Sequence, residues 1–352
     1  MMMSLGHEVF LYASEDNDAE CTELITIAPK VDQLRWFGRF DYHADFYPIT
    51  WGPEDRHWKE SNGNAIRAIR KRIKPGDNIC VIAGLCQKKV TDAFPMNPAV
   101  EYGIGYSGVY APYRVWESYA HMHYVYGLQQ NDDGKHYDAV IPNYFNPDDF
   151  TYKGADEKED YYVFLGRFIP RKGVEVAVEA TRKLGAKLIM AGQGCRQEGN
   201  TFYGEDFSVS GDHLSHIGHV DIKQRAKLLS GAKACFMATT YLEPFGGVSI
   251  EALFSGTPVI ASDFGCFTET IPHGVAGYRF RTVGEAAYFA SDEMLAKLDN
   301  ERIAKYANDN FSMDVVRYKY DDYFQQVAGL YDGSSDFYGD WHGRDDRYTR
   351  AI

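Results

Sequence analysis

The sequence predicts an α/β protein made of two doubly wound, Rossmann-like parallel-sheet domains that face each other across a cleft. Three observations carry this. At 352 residues the chain exceeds one ordinary hydrophobic core, so two domains are expected. Short apolar runs alternate with helical or loop segments through both halves, the rhythm of parallel strands joined by crossover helices. Between the halves, "IPNYFNPDDFTYKGADEKEDY" gathers Pro, Asn, Asp and Gly with a charge run, the composition of a linker, which puts the boundary near 148–160.

In the first half, residues 1–150, the strand signals are "HEVFLYA", "LITIAP", "NICVIAG", "AVEYGIGY" and "DAVIPNYF". The basic stretch "AIRAIRKRIK" (65–74) places Ile66, Ile69 and Ile73 at helical spacing, so it reads as the solvated face of a surface helix. In the second half, 151–312, strands are expected at "YYVFLG", "KLIMAG", "LSHIGHV", "ACFMATT" and "TPVIAS", with helices over about 172–184, 222–231 and from about 246. Asp221 followed three positions later by Gln224 is the pattern of a capping box. A final helix is expected over 313–332, and the polar tail 333–352, with isolated aromatics and no periodicity, reads as flexible.

Composition bounds the function. The chain is 45% hydrophobic and 25% charged with mean hydropathy −0.41, the profile of a soluble globular protein. A net charge of −13 opposes tight non-specific attachment to nucleic acid or anionic lipid, both polyanions. The six cysteines include no Cys-x-x-Cys and no zinc-like pairing with histidine, so no metal ligands are expected, and those within apolar runs read as buried free thiols. "MMMSLGHEVFLYASED" has no basic n-region and no uninterrupted apolar stretch, and no later segment is long enough to span a bilayer, so cytoplasmic residence is the default expectation. Homo-oligomerisation is left open.

The chemistry concentrates in "YLEPFGGVSIEALFSGTPVIAS" (241–262), where Glu243 and Glu251 bracket Gly246 and Gly247 at a loop-to-helix transition. In doubly wound sheets, ligands bind at the carboxyl ends of the strands. There, the first amides of a helix offer unpaired donors to a phosphate, and glycine lets backbone and oxyanion approach closely. A carboxylate beside that site faces hydroxyl groups instead of phosphate. The ligand predicted is therefore a phosphate flanked by polyhydroxylated groups, a nucleotide sugar. A second motif, "LGRFIPRKG", brings Arg167 and Lys172 to another strand end, as cations able to neutralise a diphosphate leaving group. Taken singly, each of these residues reads as ordinary polar surface; the combination is what points to a site.

"GRFIPRKGVEVAVEA", "KLIMAGQG", "IGHV" and "EPFGGVSIEALFSGTPVIAS" together resemble the donor half of the family 4 glycosyltransferases of the GT-B fold. "GHEVFLY" and "VIPNYFNPDDF" resemble the same family's first domain. The resemblance covers most of residues 5–330. It implies retaining transfer of a glycosyl group from a nucleotide sugar at the cleft, without an essential metal or other cofactor. By motif, Arg167 and Lys172 would hold the diphosphate, Glu243 the donor sugar, and Gly246 and Gly247 with Phe245 and Val248 the phosphate region. Glu251 would hold the ribose, and Gly166, Gly192, Gly218, His219 and Val220 would line the donor pocket. The side chains of His216 and His219 read as polar surface.

The family's first strand and Gly-rich loop precede a motif like "LGHEV", which here starts at residue 5, so that strand and loop are expected to be missing. The family's first-domain histidine has no counterpart in "EYGIGYSG". His121 and His123, two apart on an expected helix, cannot both face one ligand. Glu101, Tyr106, Glu117 and His121 are the acceptor-side candidates. Tyr318, Tyr320 and Phe324 of the last helix, which in the family crosses back to the first domain, are expected to be packing anchors. The acceptor would be a saccharide or another hydroxylated molecule. A second reading is a nucleotide-sugar-binding or catalytically degenerate protein; a third, a GT-B phosphorylase or epimerase, lacks the lysine motif and length of pyridoxal-dependent phosphorylases.

Overall fold

The computed structural model describes residues 1–39, 41, 46, 48–134 and 137–333; the expected tail from 334 onward lies outside the described residues. In the first half, strands β1 (Phe10–Ser14) and β2 (Glu23–Ala28) lead into helices α1 (Lys30–Phe37) and α2 (Arg56–Ile69). Strand β3 (Ile79–Val81), helix α3 (Lys88–Asp92), strands β4 (Ala99–Ile104) and β5 (Tyr113–Trp116), helix α4 (Tyr119–Leu128) and strand β6 (Asp138–Val140) follow.

Every pairing among these six strands is parallel. They do not form one sheet: β1 and β2 make a two-stranded ribbon, and β3-β4-β5-β6 a separate four-stranded sheet. Among the described residues no strand joins β1 to β3. Both nevertheless pack on α2, whose Ala65 and Ile69 form a small core with Ile79, Val81, Val90 and Phe94, flanked by Tyr12 and Ile27. No residue of β1 or β2 is fully buried, as expected of a ribbon covered on one side only. Along β3 the alternation turns Ile79 and Val81 toward α2 and leaves Cys80 exposed, which corrects the reading of Cys80 as a buried thiol.

The second half contains a six-stranded parallel sheet of order β12-β8-β7-β13-β14-β15. Its strands are β7 (Tyr162–Leu165), β8 (Leu188–Ala191), β12 (Leu214–His216), β13 (Cys235–Met237), β14 (Val259–Ser262) and β15 (Gly277–Phe280). Between β8 and β12 the chain makes a small antiparallel sheet of β9 (Arg196–Glu198), β10 (Thr201–Tyr203) and β11 (Ser208–Ser210). Helices α5 (Val174–Leu184), α6 (Ile222–Gly231), α7 (Gly247–Phe254), α8 (Phe267–Thr270), α9 (Val283–Phe289), α10 (Asp292–Leu295) and α11 (Asn300–Phe311) complete this half. One continuous apolar cluster, with Val163, Met190, Phe236, Ile250 and Ile260 fully enclosed, fills it. The capping box opens α6: Gln224 N donates to Asp221 Oδ1 at 2.8 Å and Asp221 N to Gln224 Oε1 at 3.0 Å.

Helix α12 (Met313–Asp332) returns to the first half. Val316, Tyr320, Tyr323 and Val327 pack on Val100, Val115 and Ile141, and Tyr323 Oη donates to Tyr137 O at 3.1 Å. Tyr320 and Phe324 lie in this packing, whereas Tyr318 is exposed beneath the Arg317 guanidinium, so it is not an anchor. At the crossing, Phe145 N donates to Phe311 O at 3.0 Å and Met313 N to Phe145 O at 2.9 Å.

The sequence reading missed β5, because Pro112 and Arg114 interrupt its apolar pattern; Arg114 is buried with its Nε donating to Ala111 O at 2.8 Å. It also missed β9–β11, whose residues are mostly polar and exposed.

Candidate functional site

Strands β7 and β13 are hydrogen-bonded neighbours, so the loops leaving their carboxyl ends lie side by side. The β7 loop carries Gly166, Arg167 and Lys172 into α5; the β13 loop carries Thr239, Tyr241, Glu243 and Pro244 into α7. Together they enclose a cavity of about 180 Å³ lined by Gly166, Arg167, Lys172, Thr239, Glu243 and Gly246, with Gly247 and Val248. A larger cavity, about 570 Å³, opens at the opposite, amino-terminal edge of the sheet. Its Lys233 is already held by Asp160 and Asp292.

Within the smaller cavity Lys172 Nζ lies 2.6 Å from Glu243 Oε2 and donates to Tyr241 Oη at 3.1 Å. Both members of the ion pair are largely buried. The Arg171 guanidinium covers the Tyr241 ring, 4.6 Å from its centroid. Gly246 caps α7 at φ 73°, and a Cβ there would stand 2.6 Å from the Phe267 ring. At Gly192, φ is 138° and a Cβ would fall 1.9 Å from Gly166 O; only glycine lets these two loop backbones meet.

Glu251 sits in α7, buried, with Oε1 3.1 Å from Arg225 Nη1 of α6. Its Oε2 is buried and has no hydrogen-bond partner among the described residues. Burial pushes this carboxyl upward, against the pull of Arg225. A buried carboxylate oxygen without a donor is costly, and a ligand hydroxyl would satisfy it. Thr239 Oγ1, buried and likewise without a partner among the described residues, lines the cavity, whereas Glu251 lies outside its lining.

Several of the expected donor residues support the loops from beneath. Phe245 is buried against Phe145 and Phe311, and Val220 lies in the apolar core; neither lines the cavity. Gly218, before His219, accepts from Gly192 N at 2.8 Å. His216 corrects its reading as polar surface: half-buried, its Nε2 is 3.0 Å from Gly192 O, so it pins the Gly192 turn.

The acceptor-side candidates divide. Glu101 is fully buried, accepting from Tyr106 Oη at 2.9 Å and from the amides of Tyr110 and Ala111, both at 3.0 Å. Its oxygens are spent inside the fold, and Tyr106 is spent with it. His121 is buried, its Nε2 3.1 Å from Tyr106 O and its Nδ1 without a partner among the described residues; His123 is exposed. Burial lowers the His121 imidazole, which favours the neutral form. Among the four candidates, Glu117 is the one that reaches the loop between β13 and α7. Asn143 Nδ2 donates to its Oε1 at 2.7 Å, and its other oxygen lies against Gly105, beside Pro244. Its carboxyl is pushed up to about 7 by burial, with Glu243 adding to the effect and the Asn143 hydrogen bond opposing it.

The two halves clasp at this point. Ser118 Oγ donates to Pro244 O at 2.6 Å. The first amides of α4, at Tyr119 and Ala120, donate to the Glu269 carboxylate of α8 at 2.9 and 2.7 Å, so a residue of one domain closes the positive end of a helix of the other. Sequence reasoning missed Ser118, Asn143, Arg225, Thr239 and Glu269, since each matters only through a partner remote in the chain.

Comparison with known proteins fits this geometry. The family described as "Glycosyl transferases group 1" matches residues 146–309. An uncharacterized glycosyltransferase of Methanocaldococcus jannaschii is 28% identical over 187 residues, 51% of this chain and 46% of that protein. The phosphatidyl-myo-inositol mannosyltransferase of Mycobacterium tuberculosis is 28% identical over 209 residues, 55% of this chain and 54% of that protein. These matches therefore span about half the length of each curated relative. The crystal structure of AviGT4, a glycosyltransferase involved in avilamycin A biosynthesis, superposes with a TM-score of 0.63 at 19% identity over 93% of this chain and 86% of that one. The fold is GT-B, and the resemblance to the family 4 glycosyltransferases holds.

Proposed function

We propose that this chain, a GT-B protein whose residues 146–309 carry the group 1 glycosyltransferase domain, transfers a sugar with retention from a nucleoside diphosphate sugar to a hydroxylated acceptor, without a metal. The observation that carries the reading is the arrangement around α7. Arg167, Lys172 and the first backbone amides of α7 meet phosphate charge, Glu243 meets the sugar, and Glu251 Oε2, without a partner among the described residues, meets ribose hydroxyls. In this reading the bond from the anomeric carbon to the β-phosphate oxygen breaks, and the bond to the acceptor oxygen forms on the same face. The acceptor proton passes to a phosphate oxygen. Catalysis comes from positioning and from stabilising the departing diphosphate. The Lys172–Glu243 ion pair keeps both groups in place and opens to release Lys172 to phosphate when donor enters.

The test is a thermal-shift panel of uridine, guanosine and adenosine diphosphate sugars on wild type and Glu251→Ala, followed by nucleoside diphosphate release. A donor that raises the melting temperature by mass action, with release lost in Glu251→Ala, supports the reading and names the nucleotide. Absence of stabilisation by every donor overturns it. The separation of β1–β2 from β3–β6 favours a second reading, a nucleotide-sugar-binding protein without turnover; stabilisation without release across a broad acceptor set would select it.

A further inference from the structure

On the first domain, an aromatic cluster stands at the ligand-facing edge of the sheet. Asn62 of α2 donates from Nδ2 to Cys86 O at 2.7 Å, and Cys86 lies in the 3-10 turn Gly84–Gln87 that follows the carboxyl end of β3. The first turn of α2, with His57 and Trp58, therefore projects past the carboxyl edge of the strands, the side on which doubly wound folds bind ligands. Phe46, from the segment before α2, reaches the donor domain: the Arg167 guanidinium lies 5.6 Å from its ring centroid.

The rings are tilted against one another and braced. Trp51 and Trp58 are 5.6 Å apart at 37°, and His57 lies 5.2 Å from Trp58. Phe37 backs His57 at 5.1 Å, with Trp36 beside it. Trp58 Nε1 donates to Thr50 O at 2.9 Å, and Trp36 Nε1 to Glu60 Oε2 at 3.0 Å. With those two indole N–H groups tied down inside the protein, Trp36 and Trp58 have ring surface to offer a partner. Trp51 is 64% exposed, so its ring is left largely uncovered beside a polar rim. That rim is made of charged pairs: Glu60 with Arg35 and Arg56, and Glu54 with Lys59 and Lys89.

We propose that Trp51 and Trp58, braced by His57, Phe37 and Trp36, form a stacking platform for a pyranose ring of a saccharide acceptor. A pyranose presents C–H groups on its faces, which pack on an aromatic plane, while its equatorial hydroxyls reach outward to a rim of carboxylates and cations. The assignment of the bound sugar as acceptor rests on the proposed glycosyltransfer; its binding to the platform does not.

The test uses the full chain and intrinsic tryptophan fluorescence, titrated with maltopentaose, cellopentaose, mannopentaose and chitopentaose, and with phosphatidylcholine–phosphatidylglycerol vesicles. Wild type should show a saturable emission change with at least one oligosaccharide. Trp51→Ala should weaken that binding about tenfold, Trp51→Phe should restore most of it, and donor-induced stabilisation should be unchanged in both. The proposal is overturned if no oligosaccharide perturbs the emission, if Trp51→Ala binds as tightly as wild type, or if vesicles alone shift it. Saccharide binding that depends on Trp51, in a protein that no donor stabilises, would sink the glycosyltransfer reading and leave the platform standing.

Discussion

The contact between Glu269 and the start of α4 gives a direct test of how the two domains are held together. Glu269 →Ala removes a carboxylate that accepts two backbone amides, at 2.9 and 2.7 Å, from a helix whose N-terminus has no other partner for them among the described residues. A charge-assisted hydrogen bond contributes about 1.5–3 kcal/mol when well shielded, and an anion at a helix N-terminus about 0.3–1 kcal/mol. Glu269 is exposed, so solvent competes and the lower ends apply. The expected loss is about 1–2 kcal/mol, a factor of about 5–30 in the equilibrium between clasped and open domains. Small-angle scattering should report a larger radius of gyration for Glu269→Ala, and Glu269→Gln should fall between it and wild type. Ser118→Ala removes the neighbouring bond to Pro244 O; because the two contacts share one interface, the double mutant should show a coupling energy of about 0.5 kcal/mol or more. Unchanged scattering in Glu269→Ala together with strict additivity would refute the clasp.

Three further outcomes follow from the site. The Glu117 carboxyl binds its proton more tightly folded, at about 7, than at the ordinary 4.5. Its stabilising contribution is therefore complete below about pH 4.5 and is lost as pH rises through 7, with a ceiling of about 3 kcal/mol that partial solvent access reduces to about 1–2. Urea midpoints at pH 5 and pH 8 should differ less in Glu117→Gln than in wild type, and an identical difference would count against the assignment. Gly192→Ala, whose Cβ would overlap Gly166 O, should cost about 3 kcal/mol in chemical denaturation; a cost under about 1 kcal/mol would show that the loops can part. Lys172→Ala leaves Glu243 largely buried without its cation and should cost about 1–3 kcal/mol, with loss of donor-induced stabilisation; retained stabilisation would exclude Lys172 from the phosphate site.

The second half was legible because its signals are local. The capping box at Asp221, the strand-to-helix turns at Gly246 and Lys172, and the apolar strand runs each lie within a few residues, and parallel topology then brings the strand ends together. The first half was less legible because its important partners are distant in the chain. Glu101 and Glu117 look alike in sequence, each a carboxylate in an aromatic stretch. The structure separates them by what faces each: two amides and a tyrosine hydroxyl absorb Glu101, while Glu117 meets Asn143 and the Pro244 loop. The aromatic cluster was invisible for the same reason, since Trp36 and His57 become neighbours only when α1 and α2 pack.

That split predicts how the molecule opens. The second half encloses one continuous core in which Val163, Leu188, Phe236 and Val259 have no solvent exposure, and its central strands β7, β8, β13 and β14 are each paired on both sides. In β1 and β2 no side chain is fully buried, and each strand is paired on one edge only among the described residues. The free energy of local opening falls with the apolar contacts and ladder bonds that must be broken, so the ribbon should open without the rest. Native-state hydrogen exchange should find the amides of 10–14 and 23–28 exchanging through openings several kcal/mol below the global value, while those of 162–165 and 235–237 exchange only near global unfolding. α12 should side with the four-stranded sheet, because Val316, Tyr320 and Val327 share its core. If the β1–β2 amides prove as slow as those of β7, the open edges must be covered in solution, and association through β1 or β3 becomes the natural explanation, since an unpaired edge strand is a template for another chain.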